Sequence, residues 1–166
     1  SMLEIGPGYG GVMQYIKRKH GLDNYYCIDV NPLFEYERMF QTDGETIPEE
    51  IPDELDIVYS SNVFQHLSDR QRRSYIRQAS QKLAIGGLFV FNLFVLNEQN
   101  RDQRIGDKKL FGNLDEKGNA YTCFFNQFTR IPQEDEIEDE LNECGLKLLK
   151  KQTLSSNSAA FWATKV

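Results

Sequence analysis

The stretch LEIGPGYGG, residues 3–11, decides how this chain is read. It holds four glycines and a proline directly behind a carboxylate, Glu4. Glycine lets main chain approach a ligand closely and adopts left-handed turns without steric cost. Residues 3–5 are a short apolar run, and residues 11–19 place Val12, Met13 and Ile16 on one helical face. The motif therefore joins a strand to a helix. Such a turn brings bare N–H groups and a helix N-terminus together, and the product is an anion-receptive pocket.

Outward from this turn, strand-like and helix-like segments alternate. The basic cluster Lys17, Arg18, Lys19 and His20 falls in the last turn of the first helix, where the helix dipole favours cations, and Gly21 stops it. Residues 25–30 read as a second strand. Asn31-Pro32 is a helix start, predicting a helix over 34–40, and a short third strand is expected within 42–47. Residues 55–60 (LDIVYS) are a fourth strand. Ser68 and Gln71 form a capping box for a helix running to about residue 83. Ile76, Ala79 and Leu83 give its buried stripe, while Arg70, Arg72, Arg73, Arg77 and Lys82 are expected on the solvated outside. Gly86-Gly87 launches a fifth strand over 88–95.

A polar stretch over 97–119 is too long for an ordinary connection. With the aromatic residues 121–128 it marks an inserted loop or hairpin over 97–130, in which 109–114 is expected to pair with 121–128 across the turn signal DEKGN; Tyr121, Phe124, Phe125 and Phe128 are candidate walls for a bound molecule, with a place in the core as the competing reading. Pro132 opens another helix, with Glu134, Asp135 and Glu136 at its positive end and Ile137, Leu141 and Cys144 along one face. Strands over 146–149 and 159–164 close the chain. The alternation predicts one α/β domain over 1–166 with a doubly wound, mostly parallel sheet and helices on both faces. Ligands of such sheets bind at the carboxyl ends of the strands, where the glycine turn lies.

Composition narrows the function. A net charge of −6 argues against nucleic acid and anionic membrane as partners. The longest apolar run, residues 88–96, has an asparagine inside it and is far short of the ~20 residues of a membrane span. Cys27, Cys123 and Cys144 show no CxxC pairing, so neither a disulfide framework nor a zinc site is indicated, and a reducing cytoplasm is the expected location. No cluster has metal-ligand spacing.

Two ligand classes use a glycine turn of this kind: dinucleotides and S-adenosylmethionine. Gly6, Gly8 and Gly11 satisfy GxGxxG, and Asp29 ends the second strand where it suits a ribose hydroxyl pair in either case. Glu4 separates them. A carboxylate beside the turn repels an approaching pyrophosphate but is compatible with a ligand bearing an ammonium and a sulfonium.

Here the chain resembles the class I S-adenosylmethionine-dependent methyltransferases. LEIGPGYGG resembles the family's first motif, and YYCIDVNP its second. TDGETIP is similar to the GDxExLP stretch, with Thr42 where glycine is usual. LDIVYSSNVFQHL and QKLAIGGLFVF resemble the fourth strand and the approach to the fifth. The resemblance implies a seven-stranded sheet with a reversed last strand and S-adenosyl-L-methionine as cofactor, crossing the ends of strands one, two and four. It implies donor contacts at Glu4, Gly6, Pro7, Gly8, Tyr9, Gly10, Asp29, Val30, Asp43, Gly44, Asn62 and Val63. It also implies residues ahead of the first motif, so an N-terminal cap is expected from a further segment.

Methyl transfer needs nucleophile, methyl and sulfur in line, and a general base only where the acceptor loses a proton as it attacks. His66, after the fourth strand, is the candidate base; a structural loop histidine is the competing reading. Ser60-Ser61-Asn62-Val63 stands where amino-methylating DNA enzymes carry an Asn/Asp-Pro-Pro-aromatic motif, which leaves a small molecule or a protein side chain as acceptor; a small molecule methylated at oxygen is the expectation. The insertion over 97–130 is expected near the acceptor site, with its four aromatic residues as candidate acceptor walls. The alternatives are a non-catalytic S-adenosylmethionine-binding module and a nicotinamide-dependent oxidoreductase. Tyr15 and Lys19 form a YxxxK pair of the kind some oxidoreductases use, but on the wrong helix.

Overall fold

The computed structural model describes residues 1–96, 120–124, 127–155 and 158–166. Its elements in chain order are β1 (Met2–Ile5), α1 (Gly11–His20), β2 (Tyr25–Asp29), β3 (Met39–Gln41), β4 (Leu55–Ser60), α2 (Asp69–Lys82), β5 (Leu83–Phe94), β6 (Ala120–Phe124), β7 (Gln127–Ile131), α3 (Glu134–Glu143), β8 (Leu146–Ser155) and β9 (Ser158–Lys165). Seven strands form one sheet in the order β3-β2-β1-β4-β5-β9-β8. β9 alone runs antiparallel to its neighbours β5 and β8, and the β1, β2, β3, β4 and β5 pairings are parallel. This is the α/β sheet with a reversed last strand that the sequence implies.

Alternation along the strands sorts side chains to two faces. Leu3, Ile5, Val58, Phe89, Phe91 and Phe161 point to the face covered by Ile76 and Ala79 of α2 and Ile137 and Leu141 of α3. Met2, Tyr25 and Cys27 point to the other, where Met13 of α1 packs on them. Val12 is exposed, so the buried stripe of α1 is Met13 with half-buried Ile16. The capping box forms: the Ser68 side chain accepts from the Gln71 N–H, and the Gln71 side chain accepts from the Ser68 N–H at 3.0 Å.

Several expectations are corrected. No helix forms over 34–40. Phe34 and Tyr36 are two residues apart and each finds its own anchor: the Phe34 ring lies against Gly10, and the Tyr36 hydroxyl donates to the Tyr25 carbonyl at 2.7 Å. The segment runs instead as a bend and a turn, closed by the Met39 N–H donating to the Tyr36 carbonyl at 3.0 Å. The third strand is Met39–Gln41, paired with Cys27–Asp29, and not within 42–47. The main chain of 45–47 is bonded instead by α2 side chains, Gln78 and Ser74. Arg72 is not solvated; it is 1% exposed and pairs with Glu140 of α3. Arg70, Arg73 and Arg77 are exposed as expected, and Lys82 is held by the Ile51 carbonyl and Asp53. The hairpin pairs β6 with β7 across 120–131; residues 109–114 lie outside the described residues. β5 begins at Leu83 rather than residue 88, with a register shift before Leu88 that absorbs Gly86 and Gly87, and β8 extends to Ser155.

Candidate functional site

A cleft of about 470 Å³ opens at the carboxyl ends of β1, β2 and β4. Gly6 and Gly8 of the opening turn line it, together with Asp29 and Val30 at the end of β2. Asp43 and Gly44 close one side, and Asn62, Val63 and His66 the other. Four expected donor contacts are not on its wall. Glu4 is buried and its Oε2 accepts from the Tyr25 hydroxyl at 2.7 Å. Pro7 is buried and its carbonyl accepts from the Gly10 N–H at 2.9 Å. Gly10 caps the start of α1 against the Phe34 ring, and Tyr9 is 82% exposed beside the turn.

The turn needs its first glycine for two independent reasons. Gly6 has φ of 71°, in the left-handed region, and a Cβ there would stand 2.2 Å from Val63 Cγ2. The β1 turn and the β4 loop thus touch with no room for a side chain. Their contact closes the cleft beneath the strand ends. Gly8, which lines the cleft, has nothing within 4 Å of an added Cβ, so main chain faces open space there.

The acidic residues are set differently. Asp29 Oδ1 accepts the Asn31 N–H at 2.9 Å, which turns the chain sharply after β2 and leaves the carboxylate on the cleft wall. Asp43 serves its own loop. Its Oδ1 accepts the Glu45 and Thr46 N–H groups at 2.8 and 2.7 Å, and its Oδ2 accepts the Thr46 hydroxyl at 3.0 Å. Those backbone bonds hold its carboxyl below the usual range. Thr42, in the usual glycine place, bonds the Thr46 carbonyl and lies 3.3 Å from the Tyr75 hydroxyl. Burial pushes the Tyr75 phenol up and the His66 imidazole down, so both favour their neutral forms. Burial likewise raises Glu4, against a smaller opposing effect of its bond from Tyr25.

Asn62 carries the sharpest backbone feature. Its φ is 59°, a left-handed value that asparagine tolerates better than most residues. Asn92, buried in β5, holds it there: its Oδ1 accepts the Asn62 N–H and its Nδ2 donates to the Asn62 Oδ1, both at 2.9 Å. This is the asparagine that interrupts the apolar run.

The cleft also contains Thr42, Leu67, Gln71 and Tyr75, which sequence reasoning did not assign to it, and Ile5 and Ile28 of the strand ends. Gln71 and Tyr75 are four apart on α2. That spacing puts them on one helix face, and the loop carrying His66 leads straight into that helix.

A family model described as "Methyltransferase domain" matches residues 1–151. The chain belongs to this methyltransferase-domain family. Solved structures share the fold. An S-adenosylmethionine-dependent methyltransferase from Mesorhizobium loti is 13% identical, with a TM-score of 0.71, and the match covers 99% of this chain and 90% of that one. One from Clostridium acetobutylicum is 14% identical, with a TM-score of 0.70 and coverage of 99% and 83%. The 1,6-didemethyltoxoflavin-N1-methyltransferase of Burkholderia thailandensis, solved with bound 1,6-didemethyltoxoflavin and S-adenosylhomocysteine, is 14% identical with a TM-score of 0.70 and coverage of 99% and 70%. A comparison with curated protein sequences gives no match. Among the described residues, no helix of this methyltransferase domain is long and apolar enough to cross a membrane.

Proposed function

We propose that this methyltransferase domain binds S-adenosyl-L-methionine in the cleft and methylates a small-molecule acceptor at oxygen. The observation that carries the reading is the convergence of Gly6, Gly8, Asp29, Asp43 and Asn62 on one cleft from four separate loops. The residues fit the donor: Asp29 offers a carboxylate to vicinal ribose hydroxyls, and Gly8 offers bare main chain. A cleft of about 470 Å³ lies within the ~300–1,000 Å³ of small-molecule sites.

When bound, the donor supplies a methyl carbon on a sulfonium; the carbon–oxygen bond forms as the carbon–sulfur pair leaves with sulfur. The chain's own residues orient the partners and move one proton. His66 takes the hydroxyl proton of the acceptor as oxygen attacks, and burial keeps its imidazole neutral for that task. Glu4, buried beneath the turn with its carboxyl pKa raised by burial, braces β1 against β2 through the Tyr25 hydroxyl. We assign the domain to a reducing cytoplasm.

Calorimetry with S-adenosylhomocysteine tests the first step. Wild-type protein binds, and Asp29→Ala loses about tenfold or more in affinity, the scale of charge-assisted hydrogen bonds of ~1.5–3 kcal/mol. An unchanged affinity in the variant removes Asp29 from the ribose, and no binding to the complete protein removes the reading.

A further inference from the structure

A second cavity, of about 390 Å³, lies at the carboxyl ends of β4 and β5 and shares Asn62 with the first. Its floor and walls follow from the register. Tyr59, Val90, Trp162 and Lys150 are successive partners across β4, β5, β9 and β8, so their side chains form one row on a single face of the sheet. That face is the one α1 covers through Met13 at its β1–β2 half, where Tyr59 joins the edge of the Met13 cluster. The next row toward the strand ends is Asn92, Ala160 and Gln152. Alanine in the middle of that row leaves a hollow, with Trp162 behind it and Ser61 and Asn62 at its mouth. The pattern is apolar walls with a few convergent polar groups, which suits a small molecule. Large flat side chains favour a flat ring, through stacked or edge contacts. Lys150 Nζ stands over the Trp162 ring, 4.8 Å from its centroid, which helps fix the orientation of that ring.

We propose that this cavity is the acceptor site and that it takes a hydroxylated aromatic molecule, a phenol, lodged against Trp162 with its reacting hydroxyl passing Asn62 into the first cleft. The inference rests on the donor reading above and names its acceptor class. Asn62 is the shared wall, and its paired bonds to Asn92 fix it where the two cavities meet. Gln152 and Ser61 bind polar substituents at the ring's outer edge.

The chain has a single tryptophan, so tryptophan emission reports this wall alone. The test titrates 4-nitrophenol into protein saturated with S-adenosylhomocysteine, with absorbance correction. Saturable quenching is the expected result, with cyclohexanol silent. Ala160→Phe fills the hollow and abolishes the saturable phase. Gln152→Ala, on an exposed edge strand where folding is not at stake, raises the midpoint about fivefold, the equivalent of one hydrogen bond. Quenching that stays linear in 4-nitrophenol, or midpoints unchanged in both variants, overturns the assignment. So does a concentration-dependent blue shift of the emission with sedimentation as a dimer, which puts a second copy of the chain on this face. Binding of S-adenosylhomocysteine without saturable phenol binding defeats this inference alone, whereas loss of both defeats the donor reading as well.

Discussion

Replacing Arg72 by methionine tests how α2 is joined to α3. Arg72 is 1% exposed and Glu140 is 4% exposed. The guanidinium donates to both carboxylate oxygens of Glu140, at 2.9 and 2.7 Å, and to Asp69 at 2.8 Å. Removing one member of a buried pair leaves the other as an uncompensated charge, which costs ~3–5 kcal/mol. Arg73 still donates to Glu140 at 3.0 Å, and Asp69 keeps Arg130 at 2.6 Å, so the loss belongs at the low end, about 3 kcal/mol. That is a large part of the ~5–15 kcal/mol that stabilises a domain. The double variant Arg72→Met with Glu140→Leu removes the stranded charge and fills similar volume. It returns to within about 1 kcal/mol of wild type, since burying both charges carries its own desolvation cost. Arg73 then loses a partner at a half-exposed position, where an ion pair contributes little. Urea unfolding at pH 7, read by circular dichroism with the m-value checked for constancy, measures both. A single variant within 1 kcal/mol of wild type, or a double variant no more stable than the single, refutes the account of this pair as buried and coupled.

Gly6→Ala folds with a loss of ~1–3 kcal/mol, the cost of a side chain held at a left-handed φ. Its affinity for S-adenosylhomocysteine falls more than tenfold, because Val63 must retreat from a Cβ 2.2 Å away; calorimetry showing wild-type affinity refutes the tight contact. Proton NMR of the imidazoles, with His66→Gln to assign the signal, gives His66 a midpoint below the ordinary 6.5. Its neutral form is then the folded state's preference, so its contribution to stability is present above 6.5 and declines as pH falls through the folded midpoint. A midpoint at or above 6.5 contradicts the burial argument.

Local signals carried much of this fold in the sequence. The Gly6 turn, the Ser68–Gln71 box and the apolar runs of β2, β4 and β5 each rest on neighbours within a few residues, and each forms. The failures share one physical cause: the deciding partner is distant in sequence. An arginine run looks solvated until Glu140, 68 positions away, meets Arg72. The 34–40 segment has a helix-start signal, yet the Tyr25 carbonyl and the bare surface of Gly10 claim its aromatic rings. Residues 42–47 look strand-like, but Gln78 and Ser74 supply the bonds a neighbouring strand would have made. In the cleft, motif residues on the β1, β2 and β4 loops were legible. Gln71 and Tyr75 were not, because they reach the cleft from a helix whose cap and stripe already explained them.

Asn92 shows how one residue can look like a defect in a strand and be a support for a site. Within an apolar strand, a buried amide is unfavourable unless its groups are bonded. Here the bonds go to Asn62, whose left-handed conformation needs an external hold. The pair therefore satisfies a buried polar side chain and a strained loop with the same two hydrogen bonds. Leucine in place of Asn92 would pack as well in β5 but would leave the Asn62 N–H without that acceptor. The loop between the two cavities is thus positioned by the sheet itself rather than by a covering helix. The two bonds anchor that loop in a central strand, and support of this kind from a rigid element is what keeps a site's groups in place.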